Sequence, residues 1–538
     1  MGWMSDESGL DRGPANFAPL TPLSHLQRAA DVFADRPALA YGDTVWTYAQ
    51  YHARVSRLAG ALADLGVAPG DVVATLLPNV PAQSEATFAV PACAAVLNTI
   101  NTRLDADTIA YILGHGAARV AIVDSASVPL VEAAIALMET PAPIVIEVPD
   151  IVAGIPATGR HRLYEDLVAQ GDPAFDWVMP QDEWESLALN YTSGTTGRPK
   201  GVRLTGTNLE TMTAITLMSY PWEGRPVYLA LAPLTHAAGV LCFPVLASAG
   251  EIVVMRVPDI GGFLEHLERH RVTHTFLPPT LIYMVLAHDR LDTSDLSSLQ
   301  CFWYGAAPMS AARLEEALTR IGPVMAQLFG QTEAPMMIST MAPRDHFRTD
   351  GSVAGERLSS AGRPAPLVTV AVMDDEGALL PREATGEIVV RGSLVMAGYH
   401  RDPEATAAAS THGWHHTGDI GYLDGDGFLF IVDRAKDMVI TGGFNVYSTE
   451  VEQAVMAHPA VQDCAVVGLP DEKWGERVTA VVQLRSGTVL DQPELVSFVK
   501  ARIGSVKTPK QVEVWVDLPR SKIGKVLKAD IRRELLGG

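Results

Sequence analysis

One stretch of the chain predicts more about the fold than any other, and it runs Leu189-Asn190-Tyr191-Thr192-Ser193-Gly194-Thr195-Thr196-Gly197-Arg198-Pro199-Lys200-Gly201-Val202. Its glycines allow the backbone to approach a ligand closely and to adopt positive φ. Successive backbone N–H groups in such a turn form a concavity that fits an anion. Hydroxyl side chains and the cations Arg198 and Lys200 add donors and positive charge. Because apolar residues precede and follow the stretch, we expect a phosphate-binding loop that connects two strands.

The loop differs from the phosphate loop of Walker-type proteins, which requires Gly-x-x-x-x-Gly-Lys followed by Ser or Thr. Here Pro199 follows Arg198, and Gly201 follows Lys200. A flexible surface loop rich in turn-forming residues is the alternative interpretation. The complete string is more specific, because it resembles the signature loop of the adenylate-forming superfamily, which contains acyl-CoA synthetases, non-ribosomal adenylation domains and firefly luciferase. The resemblance implies that ATP is bound by Thr192, Ser193, Gly194, Thr195, Thr196, Gly197 and Lys200.

The composition limits the functions that the chain can have. Its 538 residues suffice for two or more domains. The formal net charge of −21 argues against a general affinity for nucleic acid or anionic membranes. Four cysteines lack disulfide or metal-binding spacing, which predicts a reducing compartment and no zinc site. The first residues lack the apolar core of a signal peptide and the last ones are not a peroxisomal signal, so we expect a cytoplasmic protein.

Two features of the sequence are similar to a membrane span and to a metal site. The range 227–254 has almost no charge, but prolines and glycines interrupt it, so we expect two buried strands and a short helix rather than a membrane span. His266, His270 and His274 have the spacing of one helical face, which would favour a metal site. Because a strand is predicted to begin near Val272, the three imidazoles should not share one helix, and we expect no metal there.

Alternating helices and strands predict the architecture. A helix is expected at 23–33 and another at 48–65, with a hairpin between them. Short apolar runs at 71–77, 120–123 and 143–148 predict parallel strands, which places the chain in the α/β class. The resemblance implies a large N-terminal domain of α/β-sandwich subdomains plus a small β-subdomain, followed by a small mobile α+β C-terminal domain.

The boundary between the domains is predicted from Asp433-Arg434-Ala435-Lys436-Asp437, which resembles the superfamily's Gly-Arg-x-Lys/Asp segment, with Asp433 in place of the usual Gly. The resemblance implies domains at 1–434 and 435–538 and a hinge at Lys436. It also implies that Arg434 contacts the ribose or the phosphate of ATP.

Two small-residue segments are predicted to form the acid and adenine pockets. Ala232-Pro233-Leu234-Thr235-His236-Ala237-Ala238-Gly239 resembles the family's Pro-Leu-x-His, although a single histidine is more often structural. Cys301-Phe302-Trp303-Tyr304-Gly305-Ala306-Ala307-Pro308 resembles its Gly-Ala-Ala-Pro. The resemblance implies adenine contacts at Gly305, Ala306 and Ala307, and an acyl pocket lined by His236, Ala238, Gly305 and Ala306.

The next motif, Phe329-Gly330-Gln331-Thr332-Glu333, resembles the family's Tyr-Gly-x-Thr-Glu. The resemblance implies that Phe329, Gly330 and Gln331 bind the nucleotide, with the Phe329 ring stacked on adenine. Thr332 would then reach the phosphate, and Glu333 would bind the magnesium ion of ATP. Phe329 replaces the usual Tyr, a change that preserves stacking but removes a hydroxyl group.

A later string, Trp414-His415-His416-Thr417-Gly418-Asp419-Ile420-Gly421, resembles Trp-x-x-Thr-Gly-Asp. A carboxylate can accept two hydrogen bonds from a ribose diol, so Asp419 is the expected ribose anchor. The preceding segments 386–392 and 396–399 are expected to form a strand and a loop of the small β-subdomain.

The C-terminal region contains two further motifs. Gly442, Gly443 and Phe444 lie in Thr441-Gly442-Gly443-Phe444-Asn445-Val446-Tyr447, which in the resemblance lines the coenzyme A tunnel. Lys525 fills the lysine of the family's x-Gly-Lys-Ile/Val-Leu motif. An ammonium group there can neutralise charge as a carboxylate attacks a phosphate. The predicted catalytic set is therefore Lys525, Glu333, Thr332 and His236.

The resemblance extends over nearly the whole chain and implies an AMP-forming acyl-CoA synthetase, an acid–thiol ligase that uses ATP, Mg²⁺ and coenzyme A. A medium- or long-chain fatty acid is the expected substrate. An aryl acid of the cinnamate or benzoate type is the first alternative, and a stand-alone enzyme that loads a carrier protein is the second. A luciferase-like oxygenase and an inactive nucleotide-binding protein are weaker alternatives. Dimers are common in the family, so a homodimer is compatible with the sequence.

Overall fold

The computed structural model describes residues 12–192, 198–434, 437–442, 444–471, 473–520 and 526–537. The α-helices, in chain order, are α1 (Leu23–Val32), α2 (Tyr48–Asp64), α3 (Pro81–Ala92), α4 (Ala106–His115), α5 (Val128–Ala136), α6 (Tyr164–Gln170), α7 (Gly206–Ser219), α8 (Ala237–Val240), α9 (Cys242–Ala247), α10 (Ile260–Arg269), α11 (Pro279–Leu286), α12 (Ala311–Arg320), α13 (Pro403–Ala408), α14 (Ser448–Met456), α15 (Gln492–Lys507) and α16 (Lys528–Leu535). Short 3₁₀ helices lie at Ser125–Ser127, Leu291–Thr293, Pro343–His346, Gly355–Arg357 and Thr411–Gly413.

The strands, in chain order, are β1 (Pro37–Tyr41), β2 (Thr44–Thr47), β3 (Val72–Leu76), β4 (Val96–Thr99), β5 (Ala118–Asp124), β6 (Ile144–Val148), β7 (Arg162–Leu163), β8 (Ser186–Thr192), β9 (Lys200–Thr205), β10 (Val227–Ala230), β11 (Glu251–Val254), β12 (His274–Leu277), β13 (Cys301–Tyr304), β14 (Met325–Phe329), β15 (Ser339–Met341), β16 (Arg363–Pro364), β17 (Thr369–Met373), β18 (Gly386–Arg391), β19 (Gly398–Tyr399), β20 (His415–Leu423), β21 (Leu429–Arg434), β22 (Val439–Thr441), β23 (Phe444–Val446), β24 (Val461–Asp471), β25 (Gly475–Leu484) and β26 (Gln511–Trp515).

Two large, mostly parallel sheets build the N-terminal part of the molecule. The first has the strand order β16-β15-β14-β13-β12-β10-β11-β1-β2, and the second has the order β19-β9-β8-β4-β3-β5-β6-β7. One hydrophobic core lies between these sheets and includes side chains of α2, α3 and α9. The outer face of the first sheet packs against α10, α11 and α12, and that of the second packs against α4 and α5. The predicted α/β-sandwich architecture is confirmed.

The sequence explains the beginnings and the interiors of these elements. Helix α2 begins where the side chain of Thr47 accepts a hydrogen bond from the Gln50 N–H group and the Gln50 side chain accepts one from Thr47, which is a capping box. After α2 the chain turns at Gly66, whose φ is +82°. Strand β3 is buried along its whole length because helices cover both faces of its sheet.

A four-stranded antiparallel sheet, in the order β17-β18-β20-β21, forms the predicted small β-subdomain. The expectation for 396–399 was wrong in one respect. Strand β19 does not join this small sheet but pairs with β9 at the edge of the second large sheet, with Tyr399 opposite Val202. This pairing places residues 398–399 beside the strand that follows the phosphate loop.

The C-terminal region contains its own sheet, with the order β23-β22-β25-β24 and β26 beside β25. Helices α14 and α15 pack on it around a separate hydrophobic core. This arrangement agrees with the α+β prediction for the small domain. The boundary between residues 434 and 435 stays a prediction.

The uncharged range 227–254 and the three spaced histidines have ordinary structural roles. The range 227–254 contains β10, β11 and two short helices rather than one. His266 and His270 stack near the end of α10, whereas His274 lies in β12, as predicted. Within the described ranges, no group of three side chains could hold a metal ion, and no helix has the length and apolarity to cross a membrane.

Candidate active site

The phosphate loop connects two antiparallel strands of the second large sheet, as predicted. Thr192 ends β8 and lies opposite Lys200, the first residue of β9. Residues 193–197 lie outside the described residues, so the ATP contacts of Ser193, Gly194, Thr195, Thr196 and Gly197 stay predictions.

The two cations of the loop both lie over aromatic rings. The Nζ atom of Lys200 is 4.9 Å from the ring centroid of Tyr399, and the guanidinium of Arg198 is 5.1 Å from that of Tyr111. Aromatic faces attract cations, so these contacts hold both positive charges beside the loop.

The expected ribose anchor is buried and already oriented by two partners. Asp419 on β20 is 3% exposed, and its Oδ1 atom is 2.6 Å from Nε of Arg434 on the neighbouring strand. The amide of Gln331 donates to Oδ2 of Asp419 at 2.9 Å and to the carbonyl of Thr417 at 2.7 Å. Arg434 and Gln331 therefore fix the orientation of the Asp419 carboxylate.

Phe329 and Gly330 end the strand β14 in a tightly folded turn. A Cβ atom on Gly330 would lie 2.4 Å from the backbone nitrogen of Met336, so the turn requires glycine. The carbonyl of Phe329 accepts a hydrogen bond from the N–H group of Ile338, and Gln331 N–H donates to the carbonyl of Ala334. The turn places the half-buried Phe329 ring at the end of the strand.

The acidic residue that follows this turn is held by a distant tyrosine. Glu333 is half-buried, and its Oε1 atom accepts a hydrogen bond of 2.9 Å from the hydroxyl group of Tyr399. Thr332 beside it is also half-buried. Within the part of the chain that the structure describes, no partner is found for Oε2 of Glu333. Magnesium commonly binds one or two carboxylates together with substrate phosphates, so this oxygen fits the predicted magnesium ligand.

The small residues after β13 lie against the neighbouring strand. A Cβ atom on Gly305 would lie 2.4 Å from the carbonyl oxygen of Leu328, which explains the absence of a side chain there. Ala306 adopts a φ of +65°, a strained value for a residue other than glycine. Ala306 is exposed and Ala307 is half-exposed, so both can contact a ligand.

His236 lies in the loop that follows β10. Its side chain is exposed, and desolvation by neighbouring protein atoms lowers its pKa to about 4. The imidazole is therefore neutral at pH 7, and its Nδ1 atom is 2.8 Å from the hydroxyl oxygen of Thr235. Ala238 is fully buried, and its carbonyl accepts a hydrogen bond from Tyr228 at 3.2 Å.

Asn79, in the segment between β3 and α3, positions the loop that carries His236. Its buried amide donates to three successive carbonyls, those of residues 230–232, and its Oδ1 atom accepts from the N–H group of Leu234 at 2.8 Å. Thr99 completes the junction, donating to Asn190 on β8 and to the carbonyl of Thr235. These bonds tie the His236 loop to the sheet that carries the phosphate loop.

The predicted C-terminal residues are only partly described. Lys436, Gly443 and Lys525 lie outside the described residues, so the hinge, part of the coenzyme A loop and the catalytic lysine stay predictions. Gly442 adopts a φ of +58°, and its N–H group donates to the carbonyl of Trp474 at 2.7 Å.

Two aromatic rings at this turn are solvent-accessible. Trp474 packs against Gly442 and is 39% exposed, and Phe444 is 59% exposed. The sequence motif indicated Phe444 but gave no sign of Trp474, because the contact between Gly442 and Trp474 joins β22 to the turn before β25.

Thr192, Gly305 and Phe329 lie at or just after the carboxyl ends of β8, β13 and β14, an edge at which ligands bind in open α/β folds. Asp419 and Arg434 lie instead on the antiparallel strands β20 and β21, and Gln331 joins the two parts through its hydrogen bond to Asp419. Such an arrangement can orient a nucleoside triphosphate and neutralise charge on its phosphates.

Comparisons with known proteins agree with this geometry. The AMP-binding enzyme family matches residues 26–400, and the AMP-binding enzyme C-terminal domain matches 450–525. A medium/long-chain fatty acid–CoA ligase of Mycobacterium tuberculosis is 38% identical, over 94% of this chain and 88% of that protein. A feruloyl-CoA synthase of an Amycolatopsis species is 36% identical, over 94% and 97%.

A solved structure is similar over nearly its whole length. The amide bond synthetase of Marinactinospora thermotolerans superposes with a TM-score of 0.85 at 31% identity, covering 95% of this chain and 99% of the other. The family models and these relatives show that the chain belongs to the AMP-binding enzyme family, as an AMP-forming acyl-CoA synthetase of the adenylate-forming superfamily.

Proposed function

We propose that this enzyme activates a hydrophobic carboxylic acid in two half-reactions within one site, with the residues of the nucleotide site in the roles named below. One observation supports the proposal: polar contacts fix the side chains of the expected nucleotide-binding residues, with Gln331 and Arg434 bound to Asp419 and with Tyr399 in contact with Glu333 and Lys200.

In the first half-reaction the carboxylate attacks the α-phosphorus of ATP, and pyrophosphate leaves. Asp419 holds the ribose and Phe329 covers the adenine, so the α-phosphate is fixed in front of the acid. Lys200 and the backbone N–H groups of the loop bind the phosphates, and Lys525 neutralises the charge that develops as the new bond forms. Magnesium, when bound at Glu333, would neutralise further charge on the phosphates.

In the second half-reaction the thiol of coenzyme A attacks the acyl carbonyl, and AMP leaves. Lys525 is not needed for this step. We propose that the small domain rotates about Lys436, which withdraws Lys525 and brings the Gly442–Phe444 loop to the site. The exposed rings of Phe444 and Trp474 would then meet the incoming cofactor.

For the acid we propose a medium- or long-chain fatty acid. The residues expected to line the acid pocket are His236, which is neutral at pH 7, and the small residues Ala238, Gly305 and Ala306. The ligase of Mycobacterium tuberculosis named above acts on such acids.

A second candidate is an aryl acid, and one observation favours it. The feruloyl-CoA synthase of an Amycolatopsis species, which is named for an aryl acid, is 36% identical over 94% of this chain. A carrier protein in place of coenzyme A is the third candidate.

The test is ATP–pyrophosphate exchange over octanoate, palmitate, ferulate and benzoate, followed by AMP release with and without coenzyme A. We expect exchange with octanoate above exchange with both aryl acids, and AMP release that depends on coenzyme A. Stronger exchange with ferulate would replace the fatty acid by the aryl acid. Exchange without AMP release would identify a carrier protein as the acceptor.

The role of Lys525 has its own test, because the two half-reactions can be measured separately. Lys525→Ala should abolish exchange yet leave the transfer from preformed acyl-adenylate to coenzyme A largely intact. Equal loss of both would contradict the assigned role. For the location we propose the cytoplasm, since the four cysteines are all unpaired and buried; fractionation of cells expressing the protein checks this.

A further inference from the structure

Tyr399 lies between two groups of the proposed phosphate site that are far apart in sequence. Its hydroxyl group donates to Oε1 of Glu333 at 2.9 Å, and its ring faces the ammonium group of Lys200 at 4.9 Å. One side chain thus contacts both the predicted magnesium ligand and the cation of the phosphate loop.

The backbone around Tyr399 is fixed from both sides. Met396 N–H donates to the carbonyl of Glu333 at 2.7 Å, and His400 N–H donates to the carbonyl of Gly201 at 2.7 Å. Between these bonds, Tyr399 pairs with Val202 on β9. These bonds fix the backbone from which the Tyr399 side chain extends, and the contacts with Glu333 and Lys200 then hold the phenol.

The hydroxyl group of Tyr399 has the chemistry of a permanent donor. A tyrosine phenol has an ordinary pKa of about 10, so its hydroxyl group is protonated and can donate throughout the physiological range. Its hydrogen bond to Oε1 holds the Glu333 carboxylate in place. Hydrogen bonds of this kind to a metal-ligating carboxylate typically change metal affinity by about 10- to 100-fold.

We propose that Tyr399 is a positioning residue that orients Glu333 toward the magnesium ion of ATP and holds Lys200 beside the phosphates. This inference rests on the proposed role of Glu333. It separates two contributions of one side chain: the hydroxyl group serves the metal, and the ring serves the lysine.

The experiment measures binding of α,β-methylene-ATP to the full-length protein by titration calorimetry, with Mg²⁺ and with EDTA. The quantity compared is the gain in affinity that Mg²⁺ produces. Tyr399→Phe should reduce this gain about tenfold and leave the affinity in EDTA unchanged. Tyr399→Leu removes the ring as well, and it should also weaken binding in EDTA about threefold, through loss of the cation–π contact.

Two further variants distinguish a wrong role for Glu333 from a wrong role for Tyr399. Glu333→Gln should abolish the gain from Mg²⁺; if it does not, the proposed role of Glu333 is wrong. If Glu333→Gln abolishes the gain and Tyr399→Phe retains it in full, the inference about Tyr399 alone is overturned. Tyr422→Phe is the matched control: its ring stacks on Phe430 at 5.1 Å, remote from Glu333, and it should behave as the unaltered protein does.

Discussion

Asp419 and Asp433 are buried carboxylates on the neighbouring strands β20 and β21, one residue apart in register, but they are held by different parts of the molecule. The side-chain partners of Asp419 include Gln331 and Arg434, both within the N-terminal 434 residues. Asp433 instead accepts hydrogen bonds from the backbone N–H and the hydroxyl group of Ser448, beyond the predicted hinge.

The contacts of Asp433 continue into a charged cluster of the C-terminal region. Lys528 donates to the hydroxyl oxygen of Ser448 and lies 2.7 Å from Oε1 of Glu452. In the proposed rotation of the small domain about Lys436, Asp419 would be a permanent anchor that keeps Gln331 and Arg434, whereas Asp433 would lose Ser448. The Lys528–Glu452 pair of the charge cluster lies within the C-terminal region and would move with it, so only the link of the cluster to Asp433 would depend on the domain orientation.

The largest expected effect comes from removing the permanent anchor. Asp419→Ala loses the acceptor of the ribose and leaves Arg434 without its carboxylate partner. Loss of two charge-assisted hydrogen bonds of about 2 kcal/mol each corresponds to about a 10³-fold fall in ATP–pyrophosphate exchange. The measurement is kcat/KM for ATP, with the fold checked by circular dichroism. A loss smaller than tenfold in a folded variant would remove Asp419 from the proposed site.

The next largest effect is expected from Lys528 in the charge cluster. Lys528→Met leaves Glu452 and Asp433 buried without the ammonium group, and breaking a buried ion pair in this way typically costs about 3 kcal/mol. Denaturant unfolding should show this loss. Lys507→Met is the matched control, because the Lys507–Glu450 pair is about one third exposed on both sides and should contribute less than about 1 kcal/mol. Equal losses would show that the cluster is no more important than a surface pair.

The loss in Lys528→Met should also depend on pH. Burial raises the pKa of Asp433 and of Glu452, whereas Lys528 lowers both. A carboxyl group with a raised native pKa binds more protons in the folded state, so stability falls as pH rises from its ordinary pKa through the raised native value. Without Lys528 the native pKa values of Asp433 and Glu452 are higher, so the pH range over which stability falls extends to higher pH. The variant should therefore lose less stability at pH 5 than at pH 8, and a pH-independent loss would contradict the proposed pairing.

A smaller effect tests the orientation of the permanent anchor. Gln331→Leu keeps the size of the side chain but removes the donor to Asp419. We expect KM for ATP to rise about tenfold and KM for the acid to stay unchanged, which corresponds to one hydrogen bond to a charged group. Gln511→Leu is the control, since that amide donates to Glu513 in the C-terminal sheet. A rise in both Michaelis constants would indicate a general distortion.

The sequence predicted the permanent region better than the charge cluster, and the physical reason is locality. Strands β3, β5 and β6 are short apolar runs, and the motif around Phe329 lies at the end of a strand, so local pattern suffices to place them. The bond between Glu333 and Tyr399 joins residues 66 positions apart through a two-residue strand. Pairing of this kind depends on the assembled sheets, and no local pattern announces it.

The charge cluster was missed for the same reason. Asp433, Ser448 and Lys528 come from three separate segments, and each is an ordinary polar residue in its own surroundings. In sequence, Asp433 was notable only as a replacement for glycine. Its role becomes visible once α14 and the beginning of α16 lie against the end of β21.

The smallest expected effect is that KM for the acid stays constant with pH, in contrast to the stability of the charge cluster. Desolvation lowers the pKa of His236 to about 4, so the imidazole of the acid cleft should stay neutral from pH 6 to pH 8. KM for the acid should then vary less than twofold over this range. An imidazole with an ordinary pKa near 6.5 would gain charge below that value, attract the carboxylate and lower KM several-fold. A transition near pH 6.5 that vanishes in His236→Asn would show that the exposed imidazole keeps its ordinary pKa, whereas a flat profile would leave the charge cluster as the pH-sensitive region of the molecule.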